Sequence, residues 1–141
     1  MLIINEYDGS RISTYIRMMD DEKLPIEFLA EGNFEQSLKA YQELMEKDKE
    51  DPTIDENNLN RLGYRFLNNE QTKLAQDIFK VNVILYSNSS NVYDSYAEAC
   101  MENGAYELAI ENYKKSLNLD PQNNNAKEQI KKLEKNKQNK L

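Results

Sequence analysis

The sequence predicts an all-α fold, a short right-handed α-solenoid of about three helix pairs followed by a C-terminal capping helix. Three observations lead there. A phrase of about 30 residues occurs twice, 34 residues apart: "NLNRLGYRFLNNEQTKLAQDIFKVNVILYS" from Asn58 and "NVYDSYAEACMENGAYELAIENYKKSLNLDP" ending at Pro121. Within each copy the apolar residues fall at i, i+3, i+4 and i+7, one face of an α-helix. The 141 residues are 39% hydrophobic and 30% charged with only four Gly and three Pro, a balance that favours long regular elements over loops.

Taken in order, residues 1–22 form an N-terminal segment in which "SRISTYIRMM" spaces Ile12, Tyr15, Ile16 and Met19 on one helical face. Residues 23–52 read as a degenerate repeat: Gly32 and Phe34 are placed as Gly104 and Tyr106 are, with Ser37 in the place of an alanine and Tyr41 in that of Tyr113. Pro25 falls where a small residue stands in the later copies, so it either opens a shortened helix or kinks one beginning near Ser10. From Gly32 to the equivalent Glu70 is 38 residues, which puts about four extra residues into the connection "EKDKEDPTIDEN".

Residues 56–89 and 90–123 are the two clear repeats. Leu59, Leu62, Gly63 and Phe66 align with Tyr93, Tyr96, Ala97 and Cys100, and Leu74, Ala75, Phe79 and Val83 align with Leu108, Ala109, Tyr113 and Leu117. Gly63 and Ala97 let the partner helix approach, and Phe79 or Tyr113 fills the space. Asn103-Gly104 stops one helix and Pro121 follows the next. Glu70 and Ser87 stand where the other copy has Gly104 and Pro121, so looser turns are expected there. In residues 124–141, Ala126, Ile130 and Leu133 give a one-sided apolar stripe on a charged helix, as a terminal cap requires.

A 34-residue helix-turn-helix period with these small and aromatic positions resembles the tetratricopeptide repeat (TPR). The wording of "NNLNRLGYRFL", "AQDIFKVNVILYSNSSNVYDSYAEAC" and "GAYELAIENYKKSLNLDPQNNNA" is also similar to the C-terminal helical tail of bacterial serine hydrolases of the β-lactamase and penicillin-binding type and of some esterases, over roughly residues 57–135. The Ser-x-x-Lys and Lys-Thr-Gly elements of those hydrolases are absent from this sequence, so Tyr86-Ser87-Asn88 mimics their Tyr-x-Asn element by chance.

Composition narrows the function. Net charge is −7, with 15 acidic and 6 basic side chains in residues 1–60 and 10 and 12 in residues 61–141. That distribution opposes a nucleic acid or an anionic membrane as partner, because both require a basic footprint. A single Cys and no His leave no sulfur–nitrogen zinc set, no calcium loop is written in the carboxylates, and no cofactor or metal is expected. The chain is therefore read as non-catalytic. The opening "MLIINEYDGS" is neither a signal peptide nor a membrane span, which points to the cytoplasm.

The resemblance to TPR implies a groove lined by the first helix of each pair. On that face Asp94, Glu98 and Glu102 form an acidic stripe, with Asn60, Tyr64 and Asn68 at the matching positions of the preceding repeat and Asn57 and Arg61 as further groove residues. Such a groove suits a neutral or basic protein segment. Residues 91–103 contain none of the Lys and Arg with which other TPR domains hold a peptide's terminal carboxylate, and Arg61 with Asn60 makes a thin clamp. Tyr93, Tyr96, Tyr106 and Tyr113 are expected in the core, and Cys100 as an inert buried thiol. The function expected is a protein-interaction or scaffold module. The alternative is an accessory C-terminal domain of a serine hydrolase serving packing or oligomerisation, and a homodimer fits either.

Overall fold

The computed structural model describes residues 23–139, and among them the regular structure is helical. The helices are α1 (Pro25–Ala30), α2 (Phe34–Lys47), α3 (Glu56–Asn68), α4 (Thr72–Leu85), α5 (Ser90–Glu102), α6 (Tyr106–Leu119) and α7 (Asn124–Asn139), with a 3-10 turn at Pro52–Ile54. The chain divides into two compact units, Met1–Leu59 and Asn60–Leu141. The amphipathic stretch at Ile12–Met19 and the acidic run Asp20–Glu22 lie outside the described residues.

In the first unit Pro25 opens a helix. Leu24 before it is extended, at φ −71° and ψ 149°, as the residue preceding a proline prefers. Pro25 loses no hydrogen bond at the first helical position, and the Glu27 carboxylate accepts the Leu24 N–H at 2.7 Å. The six-residue α1 packs on α2 through Leu29 and Tyr41, both buried. Ser37 shows why a small residue was needed: it is fully buried and its hydroxyl donates to the Pro25 carbonyl at 2.7 Å. Burial also pushes the Tyr41 phenol well above its ordinary value.

The four extra residues of the first connection are 52–55. The 3-10 turn ends at Asp55, whose Oδ1 accepts the Asn58 N–H at 3.1 Å and so caps α3. Asp51 caps the 3-10 turn in the same way, accepting from the Thr53 N–H at 2.8 Å.

Three turns join first helix to second, and they are the same turn. Gly32 and Gly104 have φ of +82° and +78°, and Glu70, in the same place, has φ of +62°. Each turn closes with a hydrogen bond from the residue after it to a carbonyl five residues back: Asn33 to Phe28 at 2.9 Å, Gln71 to Phe66 at 2.9 Å, Ala105 to Cys100 at 2.8 Å. The connections after the second helices also agree, with Tyr86 N–H to Asn82 and Asp120 N–H to Ser116 both at 2.9 Å. Substituting Glu for the glycine and Ser87 for the proline thus changes residues and keeps the turns. The left-handed conformation of Glu70 costs about 1 kcal/mol or more.

In the second unit the core gathers Ala75, Phe79, Tyr96, Ala97, Cys100, Ala109, Ile110, Tyr113, Ala126 and Leu133. Its tightest point is Gly63. A Cβ there would overlap ring carbons of Phe79, which is itself fully buried and has nowhere to move. The C-terminal α7 closes this core through Ala126 and Leu133, with Ile130 packed beside them. Ion pairs Lys114–Glu134 at 3.1 Å and Lys137–Glu107 at 2.5 Å tie it to α6. Both are exposed and of little weight beside the apolar contact.

Tyr96 and Tyr113 are buried as expected, but two tyrosines are not. Tyr93 is half-buried and its hydroxyl donates to the Ser87 carbonyl at 3.0 Å. Tyr106 is 48% exposed. As the first residue of α6 it follows the turn directly, and the apolar face of that helix begins with Leu108 and Ala109.

Two substitutions test these contacts in denaturant melts. Gly63→Ala should destabilise the chain by about 1–3 kcal/mol through overpacking against Phe79, although alanine alone would favour the helix by about 1 kcal/mol. Glu70→Gly should raise stability by about 1 kcal/mol by relieving the left-handed strain.

Candidate functional site

The first helices of the second unit are joined by polar side chains along one strip. Tyr64 of α3 is held by its ring, which meets Phe79 edge-on with centroids 5.1 Å apart at 72°. Its hydroxyl donates to Glu98 Oε2 of α5 at 2.7 Å and lies 3.3 Å from the Ser95 hydroxyl. One turn back on α5, Asp94 is gripped from the other side: Asn123 Nδ2 donates to Oδ2 at 2.6 Å and Asn125 Nδ2 to Oδ1 at 3.0 Å. Asn123 also caps α7, its Oδ1 accepting the Ala126 N–H at 3.1 Å, and its Nδ2 reaches the Ser116 hydroxyl at 2.9 Å. Ser116 in turn donates to the Ser90 carbonyl at 2.8 Å, which fixes the start of α5 on the end of α6.

The electrostatics follow from this placement. Burial pushes the Tyr64 phenol up to about 12, the Ser95 hydrogen bond works against it, and the Glu98 and Asp94 charges add to the rise. Tyr64 is thus a proton donor to Glu98 throughout the neutral range. Tyr113 below is raised as well, by burial first and then by Asp94 and Glu98. Both carboxylates are half-buried and already accept side-chain hydrogen bonds, so their positions are set before any ligand arrives.

The other residues proposed from the sequence are spread along the same helices. Asn60 is half-buried, with its amide oxygen buried and lacking a hydrogen-bond partner. Arg61 is exposed on α3, and Asn68 and Glu102 are exposed at the C-terminal ends of α3 and α5. Asn57 is exposed and belongs to the first unit, whereas Asn60 onward belong to the second. Sequence reasoning missed Ser95, Asn123 and Asn125. The run "PQNNNA" was the available signal, since Asn before a helix is a cap whose amide is left to donate.

Reactive chemistry has little to draw on here. Cys100 is fully buried, and burial pushes its thiol up to about 11, which keeps it protonated and inert. Among the described residues no three metal-ligating side chains come together, and no helix is long and apolar enough to cross a membrane.

Comparison with known proteins agrees with this architecture. A family model described as SHNi-TPR matches residues 90–127, which are α5, α6 and the start of α7. No curated protein sequence matches. Among solved structures, the Arabidopsis OM64 TPR domain superposes with a TM-score of 0.56 at 16% identity, covering 91% of this chain and 98% of that one. The first TPR of Spaghetti (RPAP3) bound to an HSP90 peptide, SRMEEVD, gives 0.53 at 18%, covering 79% and 85%. The second TPR domain of human RPAP3, in complex with an HSP70 peptide, gives 0.52 at 18%, covering 78% and 88%.

Two measurements check the strip. Asn123→Ala removes a helix cap and an Asp94 donor together and should cost about 1–2 kcal/mol in a thermal or denaturant melt. Tyr64 and Tyr96, both pushed up to about 12 by burial, hold their protons in the folded state well above the ordinary tyrosine value of 10.0. Their contribution is complete below pH 10 and is lost as pH rises towards 12, so the melting temperature should fall across that window while tyrosinate absorbance appears. The fold that carries these residues is the all-helical architecture of the tetratricopeptide repeats.

Proposed function

We propose that the chain is a non-catalytic interaction module that holds an extended protein segment, neutral or basic in charge, on the polar face of α3, α5 and α7. One observation carries the reading: Asp94 and Glu98 are fixed by Asn123, Asn125 and Tyr64, with their negative charge left on a face that α5 furnishes with no Lys or Arg. A cationic or amide-rich segment meets preset acceptors there, and little ordering cost remains on the protein side. The peptides in the RPAP3 complexes, SRMEEVD and SGPTIEEVD, are acidic. The polar face of this chain is acidic too, so the segment it takes differs in charge from those peptides.

Fluorescence anisotropy with labelled peptides of graded charge tests this. Lys- or Arg-bearing segments should bind in a salt-dependent manner, and SRMEEVD should not. Asp94→Asn and Glu98→Gln, which keep shape and remove charge, should each weaken basic peptides about 3- to 10-fold while circular dichroism stays the same. Tighter binding of the acidic peptide than of the basic ones would overturn the proposal.

A further inference from the structure

A second concavity, of about 680 Å³, lies between the start of α6 and the end of α7. Tyr106, Leu108, Ile110 and Leu133 line it, with the Glu107–Lys137 ion pair among its walls. Its origin is readable in the repeat register. Residue 138 stands 34 after Gly104, the place where the earlier pairs turn back, but α7 continues as helix through Asn139. In the preceding pair the corresponding place is bridged by Asn103, whose Nδ2 donates to the Thr72 carbonyl and to Gln76 Oε1, both at 2.8 Å, and α6 follows at once. The cleft is the seat of a second-type helix that the described residues do not supply.

Outside the described residues the sequence holds one amphipathic stretch of helical period. Residues 10–22 come immediately before α1, and in the sequence Ile12, Tyr15, Ile16 and Met19 recur at the spacing of one helical face. Charge agrees with the fit. Residues 1–22 carry five acidic and two basic side chains, whereas residues 124–141 carry six Lys and two Glu. Only Lys23 and Leu24 link the segment to α1 in the first unit, and the cleft belongs wholly to the second. The volume falls within the range of about 300–1,000 Å³ typical of sites that accept a few apolar groups.

We propose that residues 10–22 of one copy of the chain seat in the α6–α7 cleft of a second copy, joining the chains head to tail. Such a contact either propagates from chain to chain or closes as a reciprocal exchange of segments between two copies, and in both cases its extent grows with concentration. The polar face bearing Asp94 and Glu98 takes no part, and the variants below leave it unaltered.

Light scattering coupled to size exclusion, on the full chain over a hundredfold range of concentration, tests the assembly. The mass should rise with concentration. Ile16→Asp in the segment and Tyr106→Glu in the cleft should each shift the association midpoint at least tenfold upward, with helical circular dichroism unchanged. A mixture of Tyr15→Cys and Tyr106→Cys copies should form a covalent dimer under mild oxidation that neither forms with the unsubstituted chain, Cys100 being buried. A chain monomeric at every concentration overturns the proposal. So does association indifferent to both charge substitutions, and so does a Tyr15→Cys/Tyr106→Cys double variant that cross-links only within one monomer.

Discussion

The close approach of α3 and α4 at Gly63 is the contact on which the polar strip of α3, α5 and α7 depends. The absence of a side chain admits the Phe79 ring between the helices, and that ring is then the wall against which Tyr64 stands edge-on. Tyr64 in turn delivers a hydroxyl to Glu98 on the next pair. Thus a backbone requirement in the core reaches the surface in three steps. Each step is a short-range contact between rigid groups, which is why a flexible side chain at Gly63 or Phe79 would not do the same work.

The second pair repeats the arrangement with different residues. Ala97 and Tyr113 replace Gly63 and Phe79, and the Asn123 cap supplies the donor that Tyr64 supplies on the other side. Asp94 and Glu98 are consequently held from opposite neighbours, one from α7 and one from α3. A surface carboxylate that has no such support spends conformational entropy when it meets a ligand. These two have lost most of that freedom on folding. Their desolvation is partial, so the charge stays available to a partner while its direction is fixed.

Much of this was legible before any coordinates. The helix pairs, the small–aromatic partnership and the four-residue insertion follow from periodicity, which reports the burial pattern directly. The turn at Glu70 was misjudged because residue preference was taken for geometry: glycine lowers the strain of a left-handed turn, but the hydrogen bonds around it can hold another residue there. Tyr106 was placed in the core by its alignment with aromatic repeat positions, yet a first-turn residue has no preceding turn to lie over, and its ring stays half in solvent. Asn123 and Asn125 escaped notice for a different reason. Their partner Asp94 is about 30 residues away, and no local pattern links an amide to a distant carboxylate.

The strained turn at Glu70 also sets where the molecule breathes. Its neighbours Asn69 and Gln71 are exposed, and it connects the two helices whose mutual packing orients Tyr64. Native chains open first where stored strain and solvent access coincide, so backbone amides around Asn69–Gln71 exchange ahead of those in α5 and α6. The turn ties α3 to α4, so opening there acts on the Tyr64–Phe79 contact that aims the hydroxyl at Glu98. An excursion there changes how long the Tyr64 hydroxyl stays on its acceptor, although the turn itself touches neither group.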